Sequence, residues 1–178
     1  MDFKAAETLE QIEEMFPGKG NLNNIGFHYS NAGKKDKAIM FYERAMFKEP
    51  SSTTAFNIAM QYKYSDKKKY QEYLEKAQET NPTHNPSAYS LGQEYIKSGK
   101  KKEGEKLLQE AFDRWKQKFE SNKMEKSDYS WFSSCARALG KKEYAEHIDE
   151  CIPKENLDKM YNSNNLTQFK QEDGLQKY

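Results

Sequence analysis

The stretch Leu22-Asn23-Asn24-Ile25-Gly26-Phe27-His28-Tyr29 decides the fold. Leu22, Ile25, Gly26 and Tyr29 fall at i, i+3, i+4 and i+7, which is one face of an α-helix. The same string returns as Ala55, Ile58, Ala59, Tyr62 and again as Ala88, Leu91, Gly92, Tyr95, so that the three tyrosines are 33 residues apart. An internal period of this length signals stacked supersecondary units. In each string the small residue lets a second helix approach, and the tyrosine fills the space one turn further on.

A second helix is predicted after each first one. In the first unit Gly33 ends helix A in the place of a left-handed cap, then Ala38, Tyr42 and Ala45 form the facing stripe, and Pro50 marks the exit. The second unit offers Tyr70, Leu74, Ala77 and Pro82; the third offers Gly99, then Gly104, Leu108 and Ala111. The third continues through Phe112, Trp115 and Phe119 without a proline, which predicts a second helix about two turns longer than the others. A weaker fourth unit holds Tyr129, Phe132, Ser133 and Ala136, then Gly140 and Ala145.

The first unit resembles the tetratricopeptide repeat nearly place for place. That family's pattern carries Leu-Gly, Tyr, Ala, Phe, Ala and Pro where Ile25-Gly26, Tyr29, Ala38, Tyr42, Ala45 and Pro50 stand here. The third unit departs at Gly104, where Ala is usual, and at Lys116, where Pro is usual; the fourth has Ala136 in place of Tyr. The resemblance implies an all-α, right-handed superhelical solenoid of antiparallel helix pairs, with capping helices at both ends. The predicted organisation is one helical-repeat domain over 1–152: a capping helix at 1–17 and repeats at about 19–51, 52–84, 85–124 and 126–152. The cap rests on Phe3, Ala6, Leu9, Ile12 and Phe16, stopped by Pro17-Gly18. Residues 153–178 are expected to form a short capping helix, on Leu157, Met160 and Tyr161, and a polar tail.

Composition agrees with an all-α chain. Valine is absent, while Tyr (12), Phe (10) and Met (7) supply the apolar volume. Strands favour β-branched residues and helices favour Lys, Glu, Gln, Ala and Met. The formal net charge of +1 gives no overall attraction to nucleic acid or anionic membrane. No apolar run approaches the length that spans a bilayer, and Met1-Asp2-Phe3-Lys4 does not begin a secretory signal, so a cytoplasmic protein is expected. Cys135 and Cys151 form neither a disulfide framework nor a metal spacing.

No catalytic pattern is present: no phosphate-binding glycine loop, no HExxH, CxxC or GxSxG. The sequence therefore implies no enzyme, cofactor or metal. His28, His84 and His147 are far apart, and Cys135 with His147 reads as a buried thiol and an exposed imidazole rather than a couple. Binding is the remaining function. In the resembled architecture the A helices line a concave groove, and the residues just after the packing places face it. These are Asn23, Phe27 and Ser30; Phe56, Met60 and Lys63; Tyr89, Gln93 and Ile96; and, in the fourth unit, Ser130, Ser134 and Arg137. Phe27, Phe56, Met60, Tyr89 and Ile96 would make an apolar stripe with polar flanks, suited to a peptide or helix of a protein partner. The carboxylate clamp by which some tetratricopeptide proteins hold chaperone tails has Lys, Asn, Asn, Lys and Arg, in that order, where Asn23, Phe27, Asn57, Pro86 and Ser90 stand here; only Asn57 agrees.

A basic edge is the second candidate. Lys34, Lys35 and Lys37, then Lys67, Lys68 and Lys69, then Lys100, Lys101 and Lys102, with Lys141 and Lys142, crowd the turns between helices A and B. Lysines there complement helix dipoles and keep turns soluble. The alternative is docking on an anionic partner, an acidic protein or RNA. Neither the partner's identity nor the oligomeric state is written in the sequence.

Overall fold

The computed structural model describes residues 1–152; the expected helix at Leu157, Met160 and Tyr161 lies outside them. Among the described residues every regular element is helical: α1 (Asp2–Met15), α2 (Leu22–Asn31), α3 (Lys35–Lys48), α4 (Ser52–Tyr62), α5 (Lys67–Thr80), α6 (Asn85–Lys97), α7 (Lys101–Glu120), α8 (Asp128–Ala138) and α9 (Lys142–Glu150). From α1 to α6 each helix packs on the next, and α8 packs on α9, as helix pairs require. The chain divides into two compact units, Met1–Arg114 and a second beginning at Trp115.

The glycine turns have one shared geometry. Gly33, Gly99 and Gly140 have φ of +70, +88 and +74°, the left-handed region that costs other L-residues most. In each the following lysine N–H donates back across the turn: Lys34 to the Tyr29 carbonyl (2.9 Å), Lys100 to Tyr95 (2.8 Å) and Lys141 to Ala136 (2.9 Å). This Schellman closure satisfies carbonyls that the helix end leaves open. The second repeat, at 52–84, has no glycine at its turn. There Asp66 caps α5 from the other side, its carboxylate accepting from the Lys69 N–H at 3.0 Å. At the end of α7, Asn122 takes the left-handed place with φ of 54°. With 20 residues against 14 in α3 and α5, α7 has the predicted extra length.

In the first unit the periodic residues are the core. Ile25, Tyr29, Ala38, Ala55, Ile58, Ala59, Leu74, Ala77 and Ala88 are fully buried. Gly26 admits the Tyr42 ring: a Cβ there would lie 2.7 Å from it. Gly92 and Gly104 bring α6 and α7 into backbone contact. A Cβ on Gly104 would lie 2.5 Å from the Gly92 carbonyl oxygen, and one on Gly92 would lie 2.9 Å from that of Gly104. That reciprocal contact explains why Gly104 departs from the alanine of the resembled pattern.

The N-terminal helix packs on α2. Its anchor is Ala6 together with Glu13, whose buried carboxylate accepts from the N–H groups of Gly18 and Gly20, both at 2.9 Å. Two hydrogen-bonded amides favour the charged carboxylate, and Glu13 is held below the usual glutamate range chiefly by the Gly20 N–H. The apolar stripe expected of this helix is only partly used: Leu9 and Ile12 are half-buried, while Phe3 and Phe16 remain exposed.

The second unit is built by itself on aromatics. Trp115 and Phe132 are fully buried, with ring centroids 6.3 Å apart, and Phe119 packs against Phe132 at 5.8 Å and edge-on to Tyr129 at 6.1 Å. Ala145 and Ile148 of α9 complete its core.

Candidate functional site

The A helix α2 meets the next, α4, through side chains beside its packing stripe. From α2, Asn23 Oδ1 accepts from Thr54 Oγ1 (3.1 Å) and Asn57 Nδ2 (3.4 Å) of α4. One turn on, Gln61 Nε2 donates to Ser30 Oγ at 2.8 Å. Places just after the packing stripe in one helix therefore face places just before it in the next, here Thr54 before Ala55 and Gln61 before Tyr62. The result is a row of amides and hydroxyls, of which Asn23, Ser30, Asn57 and Gln61 are half-buried and Thr54 is buried.

The expected apolar stripe does not stand open. Phe27 is 49% exposed, its ring edge-on to His28. Phe56 and Tyr89 are each only 8% exposed. Phe56 packs 5.5 Å from the ring of His84, the residue that caps α6, so the start of the next A helix covers it. Tyr89 Oη accepts from Gln93 Nε2 at 3.1 Å, which ties two expected groove residues to each other. Ile96 is half-buried and turned toward α7, where its Cγ1 would sit 2.7 Å from a Cβ on Gly104. Met60 is half-buried, and Lys63 lies over the Tyr64 ring at 5.4 Å. In the second unit Ser130 and Ser134 are half-buried, and Arg137 is engaged at home, donating to Ser133 and to Asp149 of α9.

The tyrosines expected on the packing face are not equivalent. Tyr29 is fully buried and donates to Glu10, whereas Tyr62 and Tyr95 are half-buried. Tyr62 stacks on Tyr73 at 6.0 Å, and Tyr95 Oη donates to Glu75 at 3.1 Å. Burial and the neighbouring Glu10 raise the Tyr29 phenol. Partial burial, with Glu43 beside it, pushes the Tyr73 phenol up to about 12.

The lysine turns use part of their charge on these same rings. Lys37 lies 4.6 Å from the Tyr29 centroid, Lys35 and Lys69 lie 5.3 and 4.8 Å from Tyr62, and Lys100 lies 4.9 Å from Tyr95. Each repeat tyrosine thus carries an ammonium on its face, an attraction of about 0.5–1 kcal/mol at exposed sites. Lys37 also donates at 3.0 Å to both Glu10 and Tyr29 Oη, and those bonds raise its pKa. Lys34 lies over Phe3 at 5.7 Å. Lys67, Lys68 and Lys102 are exposed, and Lys101 forms an exposed pair with Glu105 at 3.7 Å.

Nothing in the described residues assembles a reaction centre around the histidines or cysteines. His28 Nδ1 is 3.1 Å from Asp2, His84 caps a helix, and His147 packs edge-on to Phe119. Cys135 is buried and Cys151 exposed. No group of three or more His, Cys, Asp or Glu among the described residues could hold a metal ion, and no helix among them is long and apolar enough to cross a membrane.

Among the described residues the fold is all-α, with helices packed as adjacent pairs within each unit. No family model and no curated protein matches the sequence. Among solved structures the chain is similar to MamA: one crystal structure shares 15% identity at a TM-score of 0.56, covering 90% of this chain and 91% of that one. MamA from AMB-1 shares 18% identity at 0.53, covering 88% and 87%, and an RS-1 double mutant shares 15% at 0.55, covering 92% and 88%. At such identities the likeness concerns the fold.

Proposed function

We propose that the protein is a non-catalytic interaction adaptor, and that the A-helix face of its first unit holds an extended peptide of a protein partner. The observation that carries this reading is the juxtaposition of exposed Phe27 with the polar row. Asn23, Phe27 and Ser30 share one face of α2, at i, i+4 and i+7, and the amides of Asn57 and Gln61 stand across from them on α4. An extended peptide needs an apolar anchor and partners for its backbone groups, and this surface offers both.

Peptides selected from a random display library on the immobilised full chain test it. Their affinity for the Phe27→Ala chain should fall at least about tenfold, since burying an aromatic side chain is worth about 1.5–3 kcal/mol. Because Phe27 is 49% exposed, melting should change little. Selected peptides that bind Phe27→Ala and Gln61→Ala as tightly as the native chain would place the binding surface elsewhere.

A further inference from the structure

Phe47, on α3, is 94% exposed. Counting from the facing alanines Ala45, Ala77 and Ala111, the later units hold Glu79 and Asp113 where Phe47 stands, and Glu72 and Lys106 where Met40 stands. All four are exposed, so the outward face of the B helix is charged in two units and apolar in the first. Met40, two turns before Phe47 on the same face, is 42% exposed. An apolar departure from a charged template, confined to one helix face, marks an interaction surface.

Two clefts open beside Phe47. One, of about 560 Å³, runs past Leu22 and Met40; the other, of about 420 Å³, runs past Met46, Ile58 and Tyr73. Phe47 and Glu43 line both. The face therefore presents a projecting ring with hollows next to it. Its rim also carries both signs, Glu43 together with Arg44 and Lys48. A face with knob, hollow and both charges can complement a copy of itself, which is what a two-fold interface demands.

We propose that this face of α3 is a contact between two copies of the chain. Phe47 of each copy enters a cleft beside the Phe47 of the other, and Glu43 of each faces Arg44 and Lys48 of the other. The contact uses a B helix, and it stands independently of the peptide-binding reading.

Sedimentation velocity of the full chain across a concentration series tests it. The native chain should rise from the mass of one chain toward two. Phe47→Asp should stay monomeric, its dissociation constant raised at least about tenfold, with an unchanged helical circular-dichroism spectrum. The charge exchange is the sharper arm. Glu43→Arg sets a third cation beside Arg44 and Lys48, and the double change Arg44→Glu with Lys48→Glu sets two more carboxylates beside Glu43. Neither variant should self-associate, and an equimolar mixture should form the heterodimer. A native chain that remains monomeric at every concentration overturns the proposal, as does self-association of Phe47→Asp or of the two charge variants at native strength.

Discussion

Replacing Gly104 by Ala is a sensitive probe of the helix stacking. In an exposed helix alanine is better than glycine by about 1 kcal/mol, so propensity alone predicts stabilisation. The structure predicts the reverse. The new Cβ would lie 2.5 Å from the Gly92 carbonyl oxygen, 3.0 Å from the Ile96 amide nitrogen and 2.7 Å from Ile96 Cγ1. Two of these three atoms are backbone, and no rotamer change moves them away. Helices α6 and α7 must separate, and overpacking of this kind costs roughly 1–3 kcal/mol, against which the propensity gain is set. The net expectation is a loss of about 1 kcal/mol, read as a lower urea midpoint at unchanged slope. For a chain of this size that corresponds to roughly 2–4 °C in melting temperature. Gly92→Ala should lose stability similarly, because its Cβ meets the Gly104 carbonyl oxygen at 2.9 Å. A Gly104→Ala protein as stable as the native one, or more stable, would refute the close approach and the account of why glycine stands there.

Phe56→Ala and Tyr89→Ala should each cost about 3 kcal/mol of stability by leaving a cavity, whereas Phe27→Ala should cost well under 1; equal melting in all three would contradict the burial described. Glu13 is held below its ordinary pKa by backbone amides, so its contribution is present above the usual glutamate range and is lost as pH falls through the lowered value. Thermal melting followed from pH 7 into acid should therefore show less acid destabilisation in Glu13→Gln than in the native chain, from a lower starting point at neutral pH. Charge reversal at Lys67, Lys68 and Lys102 should leave melting nearly unchanged, while Lys100→Glu, which puts a carboxylate near the face of Tyr95, should lower it measurably. A uniform response would mean that the lysine–tyrosine pairing contributes nothing.

The helices were legible because their signals are local. The spacing Leu22, Ile25, Gly26, Tyr29 repeats in register, and Gly33, Gly99 and Gly140 punctuate it where a left-handed cap is required. The groove was less legible because its faces depend on the neighbouring unit. Phe56 sits one step off the packing stripe, just as Phe27 does, yet only Phe56 is covered by the start of the next A helix at His84. Thr54 and Gln61 were missed for the complementary reason. They precede the packing places, and their polar atoms matter only once Asn23 and Ser30 of the previous helix are opposite. Nothing in the sequence pattern shows that two glycine amides close on the Glu13 carboxylate. Phe47 could have been found by comparing the units at equivalent outward places, where the later ones carry Glu79 and Asp113.

The central claim, that the A-helix face of the first unit is where a partner docks, is tested most directly by photo-crosslinking from that face. A photoreactive phenylalanine analogue placed at Phe27, and separately at Tyr64, which is also exposed (65%), would be activated in cells producing the full chain. The account predicts a discrete crosslinked partner from position 27, absent from position 64 and diminished when Gln61→Ala is added. Crosslinking that is equal from both positions, or absent from position 27 while the partner still co-purifies, would contradict it.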